Sequence, residues 1–112
     1  MTQACASNWA EGPQLYVTEV GRPARVITLY NTMMIGRDNE NDIVLESSTV
    51  SRCHAVLLRD TVGVRLIDLE STNGTYVNGI MVTSNEPVRL DNGNIIQIGQ
   101  VMARYIAPAT EN

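Results

Sequence analysis

Three short segments of the sequence are rich in polar and turn-forming residues: 36–42 (GRDNEND), 46–52 (ESSTVSR) and 70–75 (ESTNGT). Such segments usually form the loops on which a rigid scaffold presents its binding residues. Taken singly, each residue also has a structural explanation, because a glycine serves turns, Ser and Thr cap local backbone, and an Asn-Gly pair closes hairpins. Taken together, an arginine fork and hydroxyl donors on neighbouring loops could satisfy the oxygens of a phosphate group.

A second constellation could do catalysis. Ser51, His54 and Asp68 have the residue types of a nucleophile, a general base and an orienting carboxylate. The sequence has no Gly-x-Ser-x-Gly elbow, and Ser51 lies in a turn-rich segment with no identifiable oxyanion donors. A buried histidine that hydrogen-bonds its own loop is therefore favoured over hydrolysis, and the chain is not predicted to be an enzyme.

The charged residues narrow the function further. All eight basic residues are arginine, and against twelve acidic residues they leave a net charge of −4. The absence of lysine excludes Schiff-base chemistry and a Walker A phosphate loop. Nucleic-acid binding requires clustered cations, whereas these arginines are scattered along the chain, so no nucleic-acid partner is expected.

Metal, cofactor and membrane binding are also not expected. His54 is the only histidine, and Cys5 and Cys53 are the only thiols, whereas structural zinc takes about four such ligands. The longest apolar run, Ala55 to Leu58, has four residues and is far short of the roughly 20 that a membrane span needs. The first ten residues lack the basic start and apolar core of a signal peptide. These features favour a cytoplasmic protein with two free thiols over one with a disulfide.

The apolar residues occur in short bursts, such as VITLY at 26–30 and VRLIDL at 64–69. No window keeps helical spacing for ten residues, and β-branched residues recur at strand spacing. Asn-Gly pairs at 73–74, 78–79 and 92–93 indicate tight hairpin turns. About eleven short strands exceed what one open sheet carries comfortably, so we predict an all-β chain that folds as a β-sandwich of two packed sheets.

The ends of the chain differ from its middle. Residues 1–13 and 108–112 show no sustained periodicity and are predicted to be flexible N-terminal and C-terminal tails around a domain of residues 14–107. A lone tryptophan in a polar tail often packs back on its domain, and we expect Trp9 to do so.

Four sequence blocks occur in a fixed order: IGR at 35–37, SxxH at 51–54, STNGTYVNG at 71–79 and LDNGNIIQIG at 90–99. In order and spacing, these blocks between Met34 and Gly99 resemble the forkhead-associated (FHA) domain family. The resemblance implies an eleven-stranded, FHA/SMAD-like β-sandwich. It also implies that loops at one end bind a phosphothreonine peptide without altering it.

Carried over by position, the resemblance implies roles for five residues. Arg37 and Ser51 would contact the phosphate, and Arg52 would assist with the phosphate or the peptide. Thr72 would lie beside the phosphothreonine, and Asn73 would hydrogen-bond the peptide backbone.

Three further residues would support the loops. The resemblance implies that Gly36 and Gly74 let the loops take their turns and that His54 supports the Ser51 loop from behind. Cys53 departs from the family, which often carries another basic residue there. This difference weakens the local positive field but removes no motif residue.

These observations predict a phosphothreonine-peptide binding module that mediates phosphorylation-dependent protein–protein interaction in Ser/Thr kinase signalling. Its partner would be a phosphothreonine-containing protein, such as a kinase or a kinase substrate. The alternative is a scaffold of the same fold that binds without phosphate. It is disfavoured because Arg37, Ser51, Arg52 and Asn73 are all present together.

Overall fold

The computed structural model describes residues 12–108 and, in that range, contains strands and turns but no helix. No helix in this range could therefore span a membrane. The predicted all-β chain of about eleven short strands is confirmed. The strands are β1 (Gln14–Thr18), β2 (Arg25–Thr28), β3 (Thr32–Gly36), β4 (Ile43–Val44), β5 (Ala55–Arg59), β6 (Val64–Asp68), β7 (Thr75–Val77), β8 (Ile80–Met81), β9 (Val88–Arg89), β10 (Ile95–Ile98) and β11 (Val101–Ile106).

The strands form two sheets, as the sequence predicts. One sheet has six strands in the order β2-β1-β11-β10-β7-β8, and the other has five in the order β4-β3-β5-β6-β9. Side chains alternate between the core and the outside, as in β1, where Leu15 and Val17 are buried and Tyr16 and Thr18 are exposed. The inward-facing residues of both sheets form one continuous hydrophobic core.

Only one of the three Asn-Gly pairs closes a hairpin. Asn78 and Gly79, with φ of 52° and 83°, join the antiparallel strands β7 and β8. The pairs at 73–74 and 92–93 instead lie in crossovers between the two sheets, so the prediction of hairpins there is wrong. In each of these two pairs only the glycine has positive φ, at 88°, whereas a type I′ hairpin turn needs two such residues in succession.

The pairing of β1 with β2 extends one residue ahead of β1. Pro13, which the sequence analysis assigns to the tail, is buried, and its carbonyl accepts a hydrogen bond from the Leu29 backbone at 2.9 Å. It thus extends the pairing of β1 with β2 by one contact. The expectations for Trp9 and Cys5 fall outside the described residues.

Four connections meet at one end of the sandwich: β3–β4, β4–β5, β6–β7 and β10–β11. Hydrogen bonds link the first three of them, from Arg37 N to Ser51 O at 3.0 Å and from Thr72 N to Ser51 Oγ at 3.0 Å. The fourth is tied in by a bond from Gln100 N to Thr49 Oγ1 at 2.9 Å. The three polar segments of the sequence therefore lie together on one surface.

Candidate functional site

Arg37 follows β3 directly and is exposed. Its Nε donates to the Val50 carbonyl at 2.9 Å, and its backbone N–H donates to the Ser51 carbonyl. One edge of the guanidinium is therefore fixed to the β4–β5 loop. Its two Nη groups, which make no hydrogen bond within residues 12–108, remain for an anion in the fork geometry that suits phosphate.

Gly36 is needed here for close approach and not for a turn. Its φ is not positive, and a Cβ at this position would lie 2.0 Å from the Arg52 carbonyl oxygen. The Asn41 side chain holds the same carbonyl with a bond of 2.7 Å and also donates to the Asp38 carbonyl at 2.8 Å. The β3–β4 and β4–β5 loops thus pack backbone against backbone. Gly74 does serve a turn, with φ of 88°.

Ser51 is oriented as a donor. Its Oγ accepts the Thr72 backbone N–H at 3.0 Å, which occupies an acceptor position and leaves the hydroxyl proton for another group. The same bond brings exposed Thr72 beside Ser51. A hydroxyl held in this way is suited to donate to an anion bound by Arg37.

His54 is fully buried and bridges two loops behind the site. Its Nδ1 accepts the Ser51 backbone N–H, and its Nε2 donates to the Gly74 carbonyl, both at 3.0 Å. Because Nδ1 accepts a backbone N–H, the ring is neutral and carries its proton on Nε2. Burial lowers the pKa of His54, while the bond to Gly74 and the charge of Asp68 partly oppose that shift.

The neutral state of His54 predicts that stability depends on pH. A folded-state pKa below the unfolded value of about 6.5 means that the unfolded chain binds more protons. This contribution is complete above pH 6.5 and decreases as the pH falls below it, by at most about 1.4 kcal/mol per pH unit. We expect the melting temperature to fall between pH 7.5 and pH 5. His54→Gln should melt lower at pH 7.5 and show no such fall; an equal fall in both proteins would contradict the assignment.

The three residues considered for catalysis do not form a triad. Ser51 Oγ bonds to the Thr72 backbone, and both ring nitrogens of His54 bond to backbone groups. The buried Asp68 carboxylate accepts bonds from Ser71 Oγ, Thr75 Oγ1 and Ser84 Oγ at 2.6, 2.6 and 2.7 Å. No base therefore contacts the Ser51 hydroxyl within the described part of the chain.

Asp68 instead shapes the β6–β7 loop. Besides the three hydroxyls, it accepts the Ser71 backbone N–H at 3.1 Å, and Ser71 Oγ in turn accepts the Gly74 N–H at 2.9 Å. Burial opposes ionisation of Asp68, but these hydrogen bonds outweigh it and lower its pKa. Sequence reasoning considered Asp68 only for catalysis, although an Asp at a strand end with Ser three residues later is a recognisable signal for a local turn.

Asn73 is exposed and spans two loops. Its Nδ2 donates to the Thr49 carbonyl at 2.8 Å, which leaves Oδ1 and a second N–H directed at no residue in the described range. Thr49 is a further residue that sequence reasoning missed. Its Oγ1 accepts the Gln100 N–H and lies 2.7 Å from Ser47 Oγ. The only sequence signal for Thr49 was its place in the 46–52 segment.

Asn73→Ala should weaken phosphopeptide binding without changing the preference for the phosphorylated form. The variant loses the bond to Thr49 and the neutral hydrogen bonds to the peptide backbone that the family resemblance implies, which corresponds to roughly two- to tenfold in affinity. Titration of the variant with matched phosphorylated and unphosphorylated peptides measures both effects. Inorganic phosphate should compete equally well with wild type and variant, and a selective loss of that competition would reassign Asn73 to the phosphate.

Arg52 is exposed beside Arg37. With Asp38 and Asn39, the two arginines line a shallow depression of about 360 Å³. Cys53 is exposed next to it as a free thiol. Between residues 12 and 108, no group of three or more His, Cys, Asp or Glu side chains is placed to hold a metal ion.

Comparison with known proteins identifies the family. A model of the FHA domain matches residues 33–99, more than half of the 112-residue chain. The chain therefore belongs to the FHA domain family, and the resemblance of its motif blocks is confirmed.

Relatives and solved structures agree with this assignment. An oxoglutarate dehydrogenase inhibitor from Corynebacterium jeikeium is 40% identical over 103 residues, which cover 90% of this chain and 69% of the relative. Mycobacterium tuberculosis EmbR, solved in complex with a low affinity phosphopeptide, is 31% identical with a TM-score of 0.69, over 88% of this chain and 26% of EmbR. A structure from a study of phosphothreonine-dependent FHA domain interactions is 25% identical with a TM-score of 0.75, over 88% and 99% of the two chains.

The share of the relatives that is matched varies widely. Another curated relative is 40% identical over 60% of this chain, but the match spans only 7% of that protein. The similarity is therefore to a domain that occurs in proteins of very different length.

Proposed function

We propose that this domain binds phosphothreonine peptides at its four-loop end and does not alter them chemically. The observation that carries the proposal is the convergence of Arg37 and Ser51. A hydrogen bond ties each side chain to a neighbouring loop, and the remaining donors of both have no partner among residues 12–108. Arg52 adds a second guanidinium to the same surface.

The chemistry of the ligand fits these donors. A phosphothreonine carries about −1.5 to −2 charges and three acceptor oxygens. Each charge-assisted hydrogen bond contributes about 1.5–3 kcal/mol, so two or three of them give useful affinity without a broad basic surface. An acidic protein with few clustered cations can therefore bind this anion.

The occupied nitrogens of His54 support a binding role and not an enzymatic one. Neither ring nitrogen faces the exposed surface, and the only hydrogen bond of Ser51 Oγ in the described range is with a backbone N–H. We propose that the site binds its ligand without changing it chemically. We also propose that this binding requires phosphate, in contrast to the alternative of a phosphate-independent scaffold.

The partner is proposed to be a phosphothreonine-containing protein in Ser/Thr kinase signalling. Support comes from the structures of similar domains with phosphopeptides and from the relatives named as an oxoglutarate dehydrogenase inhibitor. Such signalling also favours the cytoplasmic location expected from the sequence.

Matched peptides that differ only at the phosphorylated residue test the proposal. Phosphoserine offers the same charge but lacks the γ-methyl group, and a shaped pocket discriminates one methyl group by roughly ten- to 200-fold. We expect phosphothreonine to bind at least tenfold more tightly than phosphoserine. Binding of an aspartate mimic and of unmodified threonine should be undetectable. Equal affinity for the two phosphorylated peptides would contradict a pocket that recognises the γ-methyl group. Binding of unmodified threonine would overturn the phosphate-dependent function.

A further inference from the structure

A second groove lies at the opposite end of the sandwich from the four loops. There, β5 ends, the 60–63 turn leads into β6, and β11 ends. The groove has a volume of about 420 Å³, and its lining includes Arg59, Arg89 and Tyr105 together with the apolar Val62 and Leu90. Val62 is 69% exposed. The groove thus combines apolar surface with charged side chains, and its lining also includes the acidic Asp60 and Asp91.

Two arginines face each other beside this groove. Arg65 on β6 and Arg89 on β9 are direct partners across the strand pair, an arrangement that is destabilising for like charges. Asp60 neutralises Arg65 through a contact of 2.5 Å. Arg89 has no acidic partner within 4 Å among residues 12–108, and it lies over the turn, since a Cβ on Gly63 would be 3.8 Å from its Nη2.

Tyr105 lines the same groove and is buried. Burial raises the pKa of Tyr105, the positive charges of Arg59 and Arg89 partly oppose that shift, and the negative charge of Asp91 adds to it. Two guanidiniums and one carboxylate therefore lie near its hydroxyl. Arg59 is held in place because its Nη1 donates to the Leu29 carbonyl at 3.0 Å. The groove therefore places two arginines and Asp91 around a largely buried tyrosine.

We propose that this groove binds a carboxylate side chain from an acidic segment of a protein partner. The three arginines around the groove, set against Asp60 and Asp91, leave one excess positive charge. That balance suits a monoanion better than a phosphate dianion, which the two aspartates would repel about twice as strongly. The exposed Val62 supplies apolar contact for the residues that flank the carboxylate. The proposal is independent of the phosphopeptide site, because the two surfaces lie at opposite ends of the strands.

Titration of the full, isotope-labelled chain by NMR tests the proposal. The probe is the capped peptide Gly-Leu-Glu-Leu-Glu-Gly, and its control carries Gln at both Glu positions. The Glu peptide should shift the resonances of Gly63, Arg89 and Tyr105, and the Gln peptide should not. Arg89→Gln should weaken binding tenfold or more, as expected for a charged hydrogen bond. Arg104→Gln, at another exposed strand arginine, should leave it unchanged.

Stability separates a binding role for Arg89 from a structural one. Arg89→Gln removes a like-charge contact, so its melting temperature should equal or exceed that of wild type, and its affinity for phosphothreonine peptide should not change. A lower melting temperature, or equal binding of the Glu and Gln peptides, would overturn the proposal. Larger shifts of the Gly63, Arg89 and Tyr105 resonances with inorganic phosphate than with the Glu peptide at the same concentration would also overturn it. A further contradicting result would be that Glu11→Gln, measured without peptide, shifts the same resonances relative to wild type. The groove would then bind a carboxylate of this chain.

Discussion

Arg37→Ala is expected to weaken binding of a phosphothreonine peptide by roughly tenfold to 150-fold, the equivalent of one charged hydrogen bond of about 1.5–3 kcal/mol. The loss falls on binding because the Nη groups of Arg37 make no hydrogen bond with residues 12–108, whereas Nε bonds the Val50 carbonyl. The fold should remain, since Arg37 is exposed and its backbone bond to Ser51 does not depend on the side chain. Calorimetric titration and a thermal melt of the same sample measure the two quantities.

Arg104→Ala is the matched control for Arg37→Ala. Arg104 is an exposed arginine on β11 outside the four-loop end, so its removal lowers the net charge equally. Its loss should change phosphopeptide affinity by less than twofold at physiological salt, where screening acts over about 8 Å. If both variants lose affinity equally, Arg37 acts only through net charge. Unchanged affinity in a folded Arg37→Ala protein would show that the site assignment is wrong.

Gly36→Ala is expected to have the largest effect on stability. The added Cβ would lie 2.0 Å from the Arg52 carbonyl oxygen, and the backbone on both sides would have to separate. Overpacking of this kind costs about 1–3 kcal/mol, and a clash with backbone belongs at the upper end. For a domain of this size we expect the melting temperature to fall by roughly 10 °C. Phosphopeptide affinity should fall as well, because the same shift separates Arg37 from Ser51.

Gly63→Ala provides the comparison for Gly36→Ala. Gly63 also has a φ that is not positive, and a Cβ there would meet nothing closer than 3.8 Å. Its substitution should therefore leave the melting temperature within a few degrees of wild type. A Gly36→Ala protein that melts and binds like Gly63→Ala would contradict the close packing of the two loops.

Much of the fold could be predicted from local sequence pattern. The alternation in β1 and the short apolar bursts specify strands, because side chains in a strand point alternately to opposite faces. The number of strands then requires two sheets. The Asn-Gly pairs show where local pattern stops being sufficient. The pair at 78–79 and the pair at 73–74 look alike, and only the sheet to which the following strand pairs decides which becomes a hairpin.

The framework of the site could be predicted only in part. The motif blocks predicted that Arg37, Ser51 and Asn73 belong to one binding site. The structure places all three on neighbouring loops. The bonds that hold them, such as Asn73 to the Thr49 carbonyl, join residues far apart in sequence. A side chain that bonds a distant backbone carbonyl leaves no periodic or spacing signal. For that reason the contributions of Thr49 and Asn41 emerged only from the structure.

These bonds also explain how a small site could bind well. The four loops are linked to one another before any ligand is present, so little ordering is needed on binding. Ser51 is the centre of this framework, since its backbone N–H, carbonyl and hydroxyl bond to His54, Arg37 and Thr72 respectively. A substitution of His54 that lowers the melting temperature should therefore also weaken phosphopeptide binding.

The most direct test of the central claim is a pair of NMR titrations with one threonine peptide in its phosphorylated and unphosphorylated forms. The observed signals are the Nε–H of Arg37 and the backbone amides of Ser51 and Thr72. We expect the phosphorylated peptide to shift all three signals in a saturable way, and the unphosphorylated peptide to shift none at the same concentration. Equal shifts with both peptides, or phosphopeptide binding that leaves these signals in place, would contradict a phosphate-dependent site at Arg37 and Ser51.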